Sequence, residues 1–128
     1  MQIKEIENQK EWDELLKWSK RKSFLQTWQW GEFQKYLRKK VKRLGIYQSK
    51  KLIGIALCIV ENSRFEKYVY CPRGPLLVED TVEKYTQVLG ALKEYWSSKS
   101  VGSIKVDPAF KKGREISKVP AEIGFRRS

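Results

Sequence analysis

Residues Leu52 to Val60 read LIGIALCIV, nine positions without a charge, bounded by Lys51 and Glu61. The run is rich in β-branched residues. It is too short for a membrane-spanning helix, which needs about 20 apolar residues, and it suits a strand. It does not alternate apolar with polar, so it predicts a strand buried on both faces. Val41 to Tyr47 reads as a preceding strand, joined through a turn at Gln48-Ser49-Lys50-Lys51. Arg64 to Cys71 reads as a following strand after the polar turn Glu61-Asn62-Ser63. Short connections of this kind predict an antiparallel meander with Leu52 to Val60 in its middle.

The third strand runs into Tyr68 to Leu77, YVYCPRGPLL. Pro72 and Pro75 lack a backbone N–H and stop strand pairing. Gly74 accepts backbone angles that other residues resist. A rigid, donor-poor turn therefore presents one guanidinium, Arg73. It either pairs with a nearby carboxylate or carbonyl, fixing the exit from the sheet, or meets a phosphate or carboxylate of a ligand. A planar guanidinium matches two oxygens at once.

Helical periodicity marks the flanks. In Glu11 to Ser19, Trp12, Leu15 and Leu16 share a face. In Trp28 to Leu37, Trp30, Phe33 and Leu37 form a stripe, with Thr27 as N-cap. At this spacing Trp28, Trp30 and Phe33 read first as core. Thr81 to Trp96 is the clearest helix, with Tyr85, Val88, Leu89, Leu92 and Trp96 on one face. Ser103 to Val106 is a fourth strand, ending at Asp107-Pro108. Ile116 to Ile123 reads as a last helix closed by Gly124. The predicted order is ααβββαβα: a mixed α/β (α+β) single domain over residues 1–128, with a mostly antiparallel sheet flanked by helices. The chain stops at EIGFRRS, where another strand would begin, so the domain is expected to be incomplete.

Composition narrows the chemistry. There are 27 Lys and Arg against 15 Asp and Glu, a formal net charge of +12, and no histidine. Without an imidazole there is no Ser-His or Cys-His nucleophile and no histidine base. Cys58 and Cys71 lack metal-ligand spacing, so no metal site is expected. No secretory signal is visible, and the reading is reduced and cytoplasmic. Basic residues crowd Lys35 to Lys51 and Lys111 to Arg127. Such runs are either solvated faces or surfaces for polyanions.

Four motifs, in order, resemble those of the Fem-type (FemABX) aminoacyltransferases. FLQTWQWGEFQ (Phe24 to Gln34) is similar to the Phe-x-Gln-Ser-x-x-Trp-Gly motif, and YVYCPRGPLL to the Pro-Arg-Gly-Pro motif. IKVDPAF (Ile104 to Phe110) is similar to the strand-then-Asp-Pro motif, and IGFRRS to the segment after it. The resemblance implies an acetyltransferase-like (GNAT-type) fold, of which this chain would be the truncated first domain. A second GNAT-like domain would be missing, and the chain by itself would be inactive. It implies transfer of an amino acid from aminoacyl-tRNA, the donor substrate, to the peptide stem of a peptidoglycan precursor. That precursor is a uridine-diphosphate muropeptide or its lipid-linked form. No separate cofactor and no DNA partner are implied. The setting would be cytoplasmic, with peripheral contact at an anionic membrane left open.

By resemblance, Asp107 lies near the acceptor amine, where a carboxylate would orient an ammonium and steer its proton. It can equally cap the turn after the strand. Arg73, Lys35, Gln34 and Trp30 are the substrate-binding candidates. The family places a lysine four residues after the motif tryptophan; here Gln34 holds that position and Lys35 follows. One residue turns a helix by about 100°, which leaves a solvated lysine as the competing reading.

Two other functions compete. An acetyl-CoA-dependent N-acetyltransferase would need an amide-lined loop at a helix start. QVLGAL (Gln87 to Leu92) approaches that pattern but lies inside a helix repeat, so Gly90 reads as a tolerated helix glycine. A non-enzymatic RNA-binding module would suit the charge and the aromatics, but no recognised motif accompanies them.

Overall fold

A computed structural model describes residues 1–19, 21–107 and 122–124. The elements are β1 (Gln2–Glu5), α1 (Gln9–Trp18), a 3-10 turn (Phe24–Gln26), α2 (Trp28–Tyr36), β2 (Lys40–Gln48) and β3 (Lys51–Asn62). They continue with β4 (Lys67–Pro72), β5 (Leu76–Leu77), α3 (Val82–Ser97), β6 (Ser103–Asp107) and β7 (Glu122–Gly124).

The sheet order is β1-β2-β3-β4-β6-β7, with β5 also on β3. All pairs are antiparallel except β4 with β6. The predicted meander β2-β3-β4 is present, with β3 in its middle. Ser49 and Lys50 form the two-residue loop of the β2–β3 hairpin, both at positive φ. This is the twist such loops require, met without the usual Asn-Gly.

Burial explains why β3 carries no polar alternation. Ala56, Cys58 and Val60 pack on α3 through Tyr85, Val88, Leu89, Leu92 and Trp96. Ile55 and Leu57 point the other way, onto Trp12, Leu15 and Ile6. Both sheet faces are covered, and successive residues of one strand feed two separate cores. The predicted buried faces of α1 and α3 hold, and Thr27 and Thr81 cap their helices through Trp30 N and Lys84 N.

The predicted order ααβββαβα needs correction. β1 and β5 are additional strands. Gln2–Glu5 has a single apolar residue, Ile3, and is extended because it pairs along β2, Gln2 opposite Tyr47. β5 is two residues long and is defined by its pairing with Gly54 and Ile55. The third strand starts at Lys67 rather than Arg64, because Ser63 closes a turn onto Glu66. The last predicted helix ended at Ile123, yet Glu122–Gly124 is a strand antiparallel to β6. The rest of that helix, Pro108 to Phe110 and most of the Lys111 to Arg127 run lie outside the described residues.

The stripe on α2 is also corrected. Phe33 is 47% exposed and Leu37 49%. The face turned inward carries Gly31 and Gln34. Gly31 is the reason: a Cβ there would lie 2.6 Å from Arg43 Nη2 and 3.0 Å from Leu57 Cδ1. Only the face without a side chain lets the helix approach the sheet closely enough to cover Arg43.

Candidate active site at the Pro-Arg-Gly-Pro turn

β4 leaves β3 after Tyr70, and the chain returns to β3 as β5. Between the pairs Ile59–Tyr70 and Ile55–Leu76, the Ala56–Cys58 stretch of β3 has no strand partner on that side. The side-chain amide of Gln26 takes the vacant place. Its Oε1 accepts from Leu57 N at 2.8 Å. Its Nε2 donates to Pro72 O at 2.6 Å and, more weakly, to Leu57 O at 3.4 Å. A primary amide offers the same acceptor and donor as a peptide unit, so it can stand in for a missing strand residue. Gln26 is fully buried. Trp12 Nε1 donates to its carbonyl at 2.8 Å, tying α1 to the same point.

The turn is supported from below as well. Tyr85 Oη donates to Pro75 O at 2.8 Å, and burial pushes its phenol well above the ordinary range. Arg21 and Asp80 form an ion pair at 2.7 Å, with side chains 12% and 8% exposed, joining the loop after α1 to the loop before α3. A Cβ on Gly74 would lie 2.8 Å from Cys71 Sγ and from Gln26, so only glycine fits this close approach. Cys71 and Cys58 are free and buried. The Cys71 thiol is pushed up by its contact with Cys58 and by burial, the opposite of what a nucleophilic thiol needs.

On this support Arg73 stands exposed at φ 57°, with no ion-pair partner among the described residues. The first reading of its role, an internal pair fixing the turn, finds no support there: Gln26, Tyr85 and Gly74 hold the turn instead. Pro72, just before Arg73, is opposite Asp107 in the parallel β4–β6 register. Two motifs 34 positions apart thus meet at the carboxyl ends of adjacent parallel strands, the place where α/β sheets commonly receive ligands.

The structure relates the remaining candidates differently. Lys35 is exposed and lies 3.7 Å from Glu32. With Glu5, Glu7, Trp28, Glu32 and Arg43 it borders a cleft of about 360 Å³ that Arg73 does not line. Arg43 is buried there. It donates to Glu32 and to Trp28 O, both at 2.8 Å, and stacks 3.6 Å from the Trp28 ring centre. The hydrogen bond from Arg43 holds the Glu32 carboxyl below its ordinary value. Gln34 is buried under α2. Trp30 is half-buried between Phe24 and Phe33, at ring distances of 5.4 and 5.5 Å. Gln87 to Leu92 lies within α3, its amides engaged in the helix rather than free to cradle a pyrophosphate. Among the described residues, no group of three or more Cys, Asp or Glu side chains is placed to hold a metal, and no helix is long and apolar enough to cross a membrane.

Sequence reading missed Gln26, Tyr85 and the Arg21–Asp80 pair as parts of this site. Gln26 does lie inside the first motif, between Phe24 and Trp30, and that is the signal that could have found it. The Arg21–Asp80 pair leaves no local trace.

The profile of the FemAB family matches residues 8–120, which includes all of these positions. The chain belongs to the FemAB family. The FemAB fold is also seen in a solved structure, "Crystal structure of FemX", at a TM-score of 0.72 and 21% identity. The match covers 89% of this chain and 29% of that one. No curated protein sequence matches the chain.

Proposed function

We propose that this FemAB chain serves the transfer of an amino acid from aminoacyl-tRNA to the amine of a peptidoglycan-precursor peptide stem, in the cytoplasm and on a GNAT-type fold. The observation that carries the reading is the Pro72–Asp107 register, which puts the exposed Arg73 turn and the Asp-Pro strand end side by side.

In this reaction the acceptor amine, having lost its proton, attacks the ester carbonyl of the aminoacyl-tRNA. A C–N bond forms, and the C–O bond to the ribose breaks. The ribose oxygen leaves with a proton, so an amide and a free hydroxyl result. Asp107 is assigned to orienting the ammonium and receiving or relaying its proton. Arg73 is assigned to an anionic group of a substrate, a phosphate or a carboxylate, which its fork can grip with two hydrogen bonds. The buried amide of Gln26 keeps the Arg73 backbone in place without touching substrate. The Glu32 contact and the separate cleft make Lys35 a weaker candidate for the phosphate.

The test is label transfer, by the longer two-domain enzyme that the resemblance implies, from charged tRNA to a uridine-diphosphate muropeptide and to its lipid-linked form. Transfer to either acceptor supports the reading. Acetyl transfer from acetyl-CoA without aminoacyl transfer would replace it.

A further inference from the structure

α2 turns its apolar stripe outward. Phe24 is 65% exposed, Phe33 47%, Tyr36 82% and Leu37 49%. They form a continuous patch. Phe24 packs edge-on against Trp30, Trp30 leans on Phe33, and Leu37 follows Phe33 one turn along the helix. Such a patch is uncommon on a surface unless it meets a partner.

Its chemistry points to one. Lys22 precedes the patch, and Lys35, Arg38, Lys39 and Lys40 lie at its other end, all exposed. Glu32 is the one carboxylate between Lys22 and Lys40, and Arg43 holds it at 2.8 Å. Lys39 leans toward Glu61 at 3.1 Å; Lys22, Arg38 and Lys40 have no ion pair among the described residues. An aromatic and aliphatic stripe along a helix, with cations at its margins, suits the boundary between lipid headgroups and acyl chains. A row of bases suits it less well. The Phe24–Trp30 and Trp30–Phe33 pairs cross at 61° and 43°, so Trp30 is engaged by both neighbours, whereas single-strand binders leave aromatic faces free for stacking.

We infer that the α2 face, with Phe24, Trp30, Phe33 and Leu37 as its apolar body, is a docking surface for an anionic membrane. The helix lies flat, Phe24 and Phe33 enter the headgroup boundary, and the flanking lysines and arginine meet lipid phosphates. The surface shares Trp30 and Lys35 with the substrate-binding candidates, but its test uses no tRNA or precursor, so it can fail while the transferase reading stands.

Purified protein is sedimented with vesicles of phosphatidylglycerol and phosphatidylcholine in equal parts, and with phosphatidylcholine alone. Binding to the anionic vesicles only is expected. Replacing Phe24 and Phe33 together by Ser should weaken it about tenfold or more through lost apolar burial. Arg38→Gln and Lys40→Gln should each weaken it about fivefold. These side chains are exposed, so melting curves should not move. As a measurement on the wild-type protein, brominated lipids should quench its tryptophan fluorescence in anionic vesicles; in a Trp30→Phe variant with an unchanged melting curve, most of that quenching should be lost. The inference is overturned by absence of binding to anionic vesicles, or by aromatic variants that bind like wild type. It is overturned equally by loss of single-stranded RNA binding in the Phe variants with vesicle binding retained, or by a dimer that those variants dissociate.

Discussion

Gln26 Nε2 donates to Pro72 O at 2.6 Å while its Oε1 accepts from Leu57 N at 2.8 Å, so one side chain closes the gap that β4 leaves along β3. With Tyr85 and Gly74, this bridge holds the turn that carries Arg73. Replacing Gln26 by Leu keeps bulk but removes both bonds. The buried Leu57 N–H and Pro72 C=O would then lack partners, at a cost of about 1–3 kcal/mol each. Urea unfolding should show a loss in that range or above. A loss under about 1 kcal/mol, on the same scale, would mean that water or another group replaces the amide.

Ile55 and Leu57 are fully buried in the core beneath α1. Either one changed to Ala should destabilise by about 2–5 kcal/mol, the transfer and cavity cost of a large core side chain. Chemical denaturation would measure it. Near-neutral results at both sites would contradict the central position of β3.

Two glycines on helices should respond in opposite directions. Gly31→Ala sets a Cβ 2.6 Å from Arg43 Nη2, so α2 must lift or Arg43 must leave its contacts, costing about 1–3 kcal/mol. Gly90 has open space around it. Gly90→Ala should stabilise by about 0.5–1 kcal/mol through helix propensity alone. Paired thermal melts decide, and a stabilising Gly31→Ala would refute the close-approach account.

Tyr47 Oη donates to Glu11 at 2.9 Å, and burial with that bond pushes its phenol from 10.0 up to about 12. The native state holds this proton more tightly than the unfolded chain. The resulting stability is complete below pH 10.0 and is lost as pH rises through about 12. Lys42, raised by its bond to Glu5, acts in the same direction. Tyr47→Phe should therefore show a shallower fall of Tm across this window than wild type. Parallel curves for the two proteins would exclude Tyr47 as a source of alkaline sensitivity.

Asp107→Asn keeps size and removes charge. If Asp107 serves the acceptor amine, transfer by the longer two-domain enzyme that the resemblance implies should fall about 10²–10⁴-fold with an unchanged melting curve. Asparagine caps turns nearly as well as aspartate, so wild-type turnover with an unchanged melt would leave Asp107 only a turn role. Lost turnover together with a collapsed melt would assign it to the fold.

Local pattern was enough wherever one element's burial dictated its residues. The apolar run at Leu52 to Val60 fixed a strand covered on both faces, because apolar side chains on successive residues gain by burial on either side of the sheet. The 3.6-residue repeat in α3 fixed its buried face in the same way. Thr27 announced its cap because capping is a contact within one helical turn. The Pro72, Gly74 and Pro75 punctuation likewise marked the end of β4.

Tertiary structure alone decided the rest, because those features depend on partners distant along the chain. β1 and β5 have little strand character of their own and exist through the neighbours that accept their hydrogen bonds. The facing of α2 reversed the apparent stripe: steric room for Gly31 over Arg43 and Leu57 outweighed burial of Phe33 and Leu37. Gln26 looks like any polar residue in a turn until the gap in β3 appears opposite its amide. Arg73 and Asp107 are both visible in the sequence. Only the parallel pairing of β4 with β6, a long-range hydrogen-bond register, brings their strand ends together.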